Sequence, residues 1–270
     1  RFEKHMSMNA IPRNNIVSRA LGNAWLFILW FSVVGSHATT YTWTGAGFFG
    51  QDFLWSNDFN WAGGVAPSAN ETNVTIIFPN DNSPRISTND VVGLKVNSIQ
   101  FQGTNYVVHG KPAGNTLNFL GTGLGGWAVL ASRDGNYFAS TSPLNLNNSG
   151  FVAVSSGCTF SVLSTIGGAG GLTKSSPGTL KFAAGGANTY VGTTTVSDGT
   201  LDLNNGTFIP SATYVAVAGP LVIGSTNFSF APLVRWLLDN QVANTTLITV
   251  NPNGRLWLNG HDDTLGSLSL

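Results

Sequence analysis

Charge is the scarcest ingredient of this sequence: Asp, Glu, Lys and Arg together make up 9% of its 270 residues, with 12 basic and 12 acidic side chains. Surface helices carry Lys and Glu on their outer faces, and here Ser, Thr and Asn fill the polar positions instead. That is the composition of a β protein. Cysteine is almost absent too. Cys158 stands alone, so no disulfide can close within the chain, and packing and backbone pairing must hold it. In the run Val152-Ala153-Val154-Ser155-Ser156-Gly157-Cys158-Thr159-Phe160 it reads as a small core residue with no chemical role. What is plentiful is glycine, 33 residues, and apolar side chains at 42%, 11% of the chain being aromatic. A chain this apolar has the means to bury a core, which excludes a disordered segment.

The first 38 residues differ in kind. Arg1, Lys4, Arg13 and Arg19 precede the apolar run Ala24 to Val34, the order of a secretory leader. Small Ser36 and Ala38 suit the pockets of a signal peptidase, which places cleavage after Ala38. A membrane anchor is the alternative, but the apolar run falls short of the roughly 20 residues a spanning helix needs. Export is the expectation, with the cell surface, the outer membrane or the medium as destination. Without the leader, 8 basic and 11 acidic residues remain. The cations Arg85, Lys95, Lys111, Arg133, Lys174, Lys181, Arg235 and Arg255 stand singly, whereas nucleic-acid binding requires clustered positive charge to neutralise phosphates. That function is set aside.

After the leader, residues 39–94 are rich in tryptophan: Tyr41-Thr42-Trp43-Thr44-Gly45, then Trp55-Ser56-Asn57-Asp58-Phe59-Asn60-Trp61 and the turn Gly63-Gly64-Val65-Ala66-Pro67. Short strands and tight turns are expected here, with Val74 to Phe78 as an apolar strand. From residue 95 to 270 a short apolar-polar-apolar strand keeps returning after a Gly, Asn or Pro turn. Ile99-Gln100-Phe101, Leu117-Asn118-Phe119, Leu144-Asn145-Leu146, Leu180-Lys181-Phe182, Leu201-Asp202-Leu203, Leu256-Trp257-Leu258 and Leu268-Ser269-Leu270 are its copies. Adjacent copies recur at roughly 20 residues, the length of one coil of a β-solenoid. One coil cannot bury its inward side chains alone, but coils stacked about 4.8 Å apart share a continuous core. The expected fold is all-β, a right-handed parallel β-helix with Leu117, Phe119, Leu180, Phe182, Leu201, Leu203, Leu256 and Leu258 inward. An antiparallel β-sandwich is the rival. Pro232 to Asn240 has apolar residues at helical spacing and predicts a short helix on a loop.

The segment Gly170-Gly171-Leu172-Thr173-Lys174-Ser175-Ser176-Pro177-Gly178-Thr179-Leu180-Lys181-Phe182, continued by Ala187-Asn188-Thr189-Tyr190 and Thr195-Val196-Ser197-Asp198-Gly199-Thr200-Leu201, resembles the autotransporter-associated β-strand repeat. Gly254 to Gly260 and Asp263 to Leu268 look like a further rung. The resemblance implies the passenger of a bacterial surface or secreted protein, with the repeat aiding folding as the chain crosses the outer membrane. It implies no chemistry and no cofactor. The sequence reads as a fragment, so membrane contact is expected only through export or through an anchor outside these residues.

Parallel β-helices also serve as polysaccharide lyases and hydrolases. Hydrolysis needs two carboxylates about 5 to 9.5 Å apart across one sugar bond. Asp198 with Asp202, and Asp262 with Asp263 beside His261, are the pairs available, and both read as structural corners. His109 and His261 are too far apart in sequence to suggest a chelate. Gly121 to Gly126 lacks the Lys-Ser/Thr of a phosphate loop. No catalytic, cofactor or metal residue is therefore expected. Exposed aromatic faces can stack on sugars, which makes Trp43, Trp55 and Trp61 the candidate glycan-stacking group and extracellular polysaccharide or a host surface the candidate partner. The expectation preferred over it is that residues 39–94 form an N-terminal Trp-rich β cap, with these three packed over the open end of the solenoid.

Overall fold

A computed structural model describes residues 38–47, 52–112, 115–121, 126–206, 214–225 and 230–270. Apart from Ala38, the expected leader lies outside them, as do residues 122–125 of the glycine loop. The described chain is a parallel β-solenoid built from short strands, with one 3-10 turn, Asp58–Asn60, as its helical content. The sandwich alternative is excluded by direction, because every pairing between named strands is parallel.

Each coil has three faces. The repeat coil runs through Leu172–Ser175 on the first face and Thr179–Phe182 on the second, then crosses the third near Asn188 to Tyr190. The next begins at Thr194–Val196 and Thr200–Leu203, which pair with the strands before them residue for residue. Second-face strands stack eight deep, from Ile86–Asn89 to Arg255–Trp257. Leu117–Phe119, Leu144–Leu146 and Ile166–Gly168 stack on the third face. The seven-residue strand Lys95–Phe101 turns the corner between faces. Its first residues pair with Leu117–Phe119 and its later ones with Trp127–Ala131.

The period of two explains the core. Apolar residues two apart point into the coil, and parallel register places each over its equivalent one coil on. Phe160, Leu180, Leu201 and Val234 form one such inward column, and Val162, Phe182, Leu203 and Trp236 another. All are buried. Rings continue the stack elsewhere, with Phe78 on Phe101 at 5.0 Å and Phe101 on Phe160 at 5.1 Å. Each fully buried Leu or Phe stabilises by about 1.5–3 kcal/mol relative to exposure, so the ladder is the main source of stability.

Six of the eight residues expected inward are buried, and the exceptions are Leu256, partly buried, and Leu258, exposed. They lie in the last complete coil, where no further coil covers them among the described residues. One expectation needs correction. Pro232 to Asn240 is not helical, since Leu233–Trp236 is a strand between Thr200–Leu203 and Arg255–Trp257. Leu233, Val234, Trp236, Leu237 and Leu238 fit helical spacing, but Val234 and Trp236 also fit a period of two, and two waiting strand edges decide between the readings. The parallel pairing also runs across residue 95 without a break. Thr39–Thr42 pairs in parallel with Val74–Phe78, which pairs with Lys95–Phe101. Val74, Ile76 and Phe78 already supply the inward alternation without a Leu-x-Leu signature.

Candidate functional site: the repeat coil and the tryptophan cap

Trp43, Trp55 and Trp61 converge on the first end of the core. Trp61 meets Trp43 edge-on at 5.2 Å and Trp55 at 5.9 Å, and Trp43 and Trp55 both rest on Phe78, at 6.3 and 6.4 Å. A single antiparallel bridge, Trp43 to Trp61, reverses the chain across this end. Asn57 caps the 3-10 turn by accepting from the Phe59 N–H, and the buried Asn60 amide donates to the Asp52 and Leu54 carbonyls. The Trp61 indole N–H donates to the Trp55 carbonyl at 2.7 Å and the Trp43 indole to that of Pro84 at 3.0 Å. Exposures of 0, 0 and 2% for Trp43, Trp55 and Trp61 leave no ring face open to a sugar. These residues cover the core, as the cap expectation has it, and present no open face of the kind the glycan-stacking alternative needs.

The paired carboxylates have structural partners. Asp202 lies outward on the second face and accepts two hydrogen bonds from Arg235 of the next coil, at 2.9 and 2.7 Å. That bidentate pairing raises the Arg235 pKa above its ordinary value. Asp198 lies in the corner before Thr200, where its carboxylate accepts from the Gly199 N–H. One Asp263 oxygen accepts from the Trp236 indole and from the Gln241 and Val242 N–H groups. His261 contacts Asp239 at 2.9 Å, and that hydrogen bond lowers the Asp239 pKa. Cys158 is a partly buried free thiol packed against the core. Among the described residues, no three His, Cys, Asp or Glu side chains come together as a metal site, and no helix is long and apolar enough to cross a membrane.

The richest polar chemistry lies inside the repeat coil. Lys174 is fully buried in the inward first-face column of Val129, Val152, Val196 and Ile223. Its ammonium donates to three backbone carbonyls: Ser175 at 3.0 Å and Ser176 at 2.6 Å in its own corner, and Asp198 at 3.1 Å in the corner of the next coil. Burial pulls its pKa down to about 8, with the Asp198 charge opposing. Those corners bend through Ser176 at φ 71° and Gly199 at φ 69°. At the opposite corner buried Asn188 accepts from the Ile166 N–H of the preceding coil and donates to the Ala216 carbonyl of the following one, both at 2.8 Å. Asn205 and Gln241 continue this polar column, Asn205 N–H donating to the Gln241 side chain and Gln241 to the Asn205 carbonyl. Tyr190 and Thr194 hydroxyls meet at 2.6 Å, and burial pushes the phenol pKa up.

Sequence reasoning gave Lys174, Asn188 and Tyr190 no roles. The signal was present for Lys174, because an alternating strand that buries Leu172 also buries the residue two further on. Asn188 lies outside a regular strand, where alternation says nothing.

Residues 172–203 match the family model described as Passenger-associated-transport-repeat. The matched stretch is the coil holding Lys174, Asn188 and Tyr190 together with the first two strands of the next. No curated protein and no solved structure matches the chain. The repeat and the solenoid together fit an autotransporter passenger-like repeat protein.

Proposed function

We propose that this chain is the passenger-type part of an exported bacterial protein, a rod that presents itself or attached segments at the cell surface. On this reading its role is structural or adhesive and not catalytic. The observation that carries it is the match of a passenger-associated transport repeat to one coil of a continuous parallel stack. A stack that grows coil by coil needs no completed distant contact before its next coil can add, and that suits a chain delivered through a membrane in extended form. The candidate carboxylates support the same reading, since both Asp202 oxygens accept from Arg235 and one Asp263 oxygen accepts from backbone and indole N–H groups. Extracellular polysaccharide or a host surface remains the proposed partner, contacted by the outward faces and not by the tryptophans.

The test is to express the chain behind a secretory leader and ahead of an outer-membrane β-barrel in a Gram-negative host. Surface exposure of a compact, protease-resistant fragment is expected. Retention in the periplasm as a protease-sensitive chain would overturn the passenger reading. Saturable release of reducing ends or unsaturated products from plant or algal polysaccharides, lost in Asp198→Asn or Asp262→Asn, would replace it with an enzyme.

A further inference from the structure

Lys174 occupies a position where an apolar residue would pack without difficulty. Its column neighbours are Val129, Val152, Val196 and Ile223, and among the described residues no other Lys, Arg, Asp or Glu is buried at an inward strand position. Burial penalises its charged form, and apolar replacements of buried ion sites are often neutral or stabilising. Stability is thus a poor explanation for a lysine here. Geometry gives a better one. Three carbonyls converge on Nζ, and only a protonated amine has three hydrogens to donate to them. Two belong to the Ser175-Ser176 corner of its own coil, but the third, Asp198, belongs to the next. That carbonyl is aimed inward by a corner that bends at Gly199, where an added Cβ would lie 2.8 Å from Nζ.

We propose that Lys174 is the register determinant of the repeat, an internal cation whose coordination closes only when its coil docks on the coil that carries the Asp198-Gly199 corner. The proposal rests on the passenger reading for its biological use, though not for its chemistry. In a solenoid whose inward columns are runs of Val, Ile, Leu and Phe, a strand finds nearly equivalent burial against the wrong neighbour. A coil slipped out of place keeps most of its apolar contacts but leaves a desolvated ammonium one acceptor short. One polar group in an apolar seam specifies register in the same way in coiled coils, at some cost in stability. The direction of the contact adds a consequence. The third acceptor comes from the C-terminal neighbour, so a folded coil of residues 194–203 presents a prepared site to the coil before it.

The experiment compares the full chain with Lys174→Met and Lys174→Arg after unfolding and refolding, using hydrogen–deuterium exchange read by mass spectrometry on peptides covering 172–182 and 194–203. Wild type and Lys174→Arg, which both carry the cation, should each return as one protected population. Lys174→Met should unfold at a midpoint no lower than wild type, yet return as two populations that differ at least about tenfold in exchange in these peptides. A single population with wild-type protection in Lys174→Met would overturn the proposal. Equal splitting in Lys174→Arg would do so as well, because shape and not charge would then decide. Neither result bears on surface display, which the β-barrel fusion tests separately.

Discussion

Replacing Trp61 by alanine removes the ring that touches Tyr41, Trp43 and Trp55 at once. A buried Trp hides up to roughly 250 Å², which at about 25 cal/mol per Å² is an upper bound near 6 kcal/mol. Large-to-small core changes of this type cost about 3–5 kcal/mol, including here the indole hydrogen bond to the Trp55 carbonyl. The loss falls at one end of a stack in which each coil contacts only its neighbours. It should therefore loosen the coils next to the cap before it reaches the repeat at 172–203. Taking about 2–4 °C per kcal/mol for a chain of this size, the first thermal transition should drop by roughly 6–20 °C. Exchange should accelerate in peptides from 39–101 and stay near wild type in 172–203. Phe59→Ala is the control, since Phe59 is 65% exposed in the same segment and its loss should stay within about 0.5 kcal/mol. A fall of less than about 1 kcal/mol, or destabilisation shared evenly along the chain, would refute the cap as an end-specific element. Retention on immobilised polysaccharide should be unaltered in Trp61→Ala protein that remains folded.

Other outcomes follow from the polar corners. The Lys174 pKa, pulled from 10.5 to about 8 on folding, means that between those values the unfolded chain binds a proton the folded one does not, so its contribution to stability rises with pH across that window. Chemical denaturation from pH 7 to 10.5 should show this rise in wild type and not in Lys174→Met, and parallel curves for the two would refute it. Asn188→Ala should cost about 2–6 kcal/mol, because it strands the Ile166 N–H and the Ala216 carbonyl at about 1–3 kcal/mol each; denaturant midpoints at constant m-value are the measure. Gly199→Ala should cost at least about 1–2 kcal/mol from its left-handed conformation alone, and more because the added Cβ would lie 2.4 Å from the Gly178 carbonyl oxygen. An unfolding midpoint matching wild type would contradict that reasoning.

The parts of this fold that could be read from sequence are those governed by local alternation. Leu180-Lys181-Phe182 and Leu201-Asp202-Leu203 announce both a strand and its inward face, and their recurrence announces stacking. Alternation without recurrence was harder to place. Val74 to Phe78 reads as an apolar strand, but nothing in its own residues says that it pairs in parallel with the strand at 95–101 as an ordinary rung. Leu233–Trp236 failed for a related reason, since four residues do not separate a period of 2 from one of 3.6, and the neighbouring edges that settle it are distant in sequence. The tryptophans were legible as a group, though their burial depends on the meeting of 43, 55, 61 and 78, which composition does not reveal.

The buried side chains of Lys174, Asn188, Asn205 and Gln241 find their hydrogen-bond partners at corners, and that has a physical cause. Along a strand most backbone N–H and C=O groups are consumed by the coils above and below, so an inward polar side chain finds few free partners there and is costly without one. At a corner the chain leaves the ladder and frees carbonyls and amides, as at Ser175, Ser176, Asp198, Ile166 and Ala216. Lys174, Asn188, Asn205 and Gln241 reach these freed groups, and each does so across a boundary between coils or between widely separated segments. The apolar ladder supplies most of the stability but distinguishes poorly between one coil and the next. The corner side chains, each matched to specific groups on a neighbour, supply the distinction. A chain assembled from near-copies needs both, and the coil that matches the transport repeat holds Lys174 and Asn188 at opposite corners.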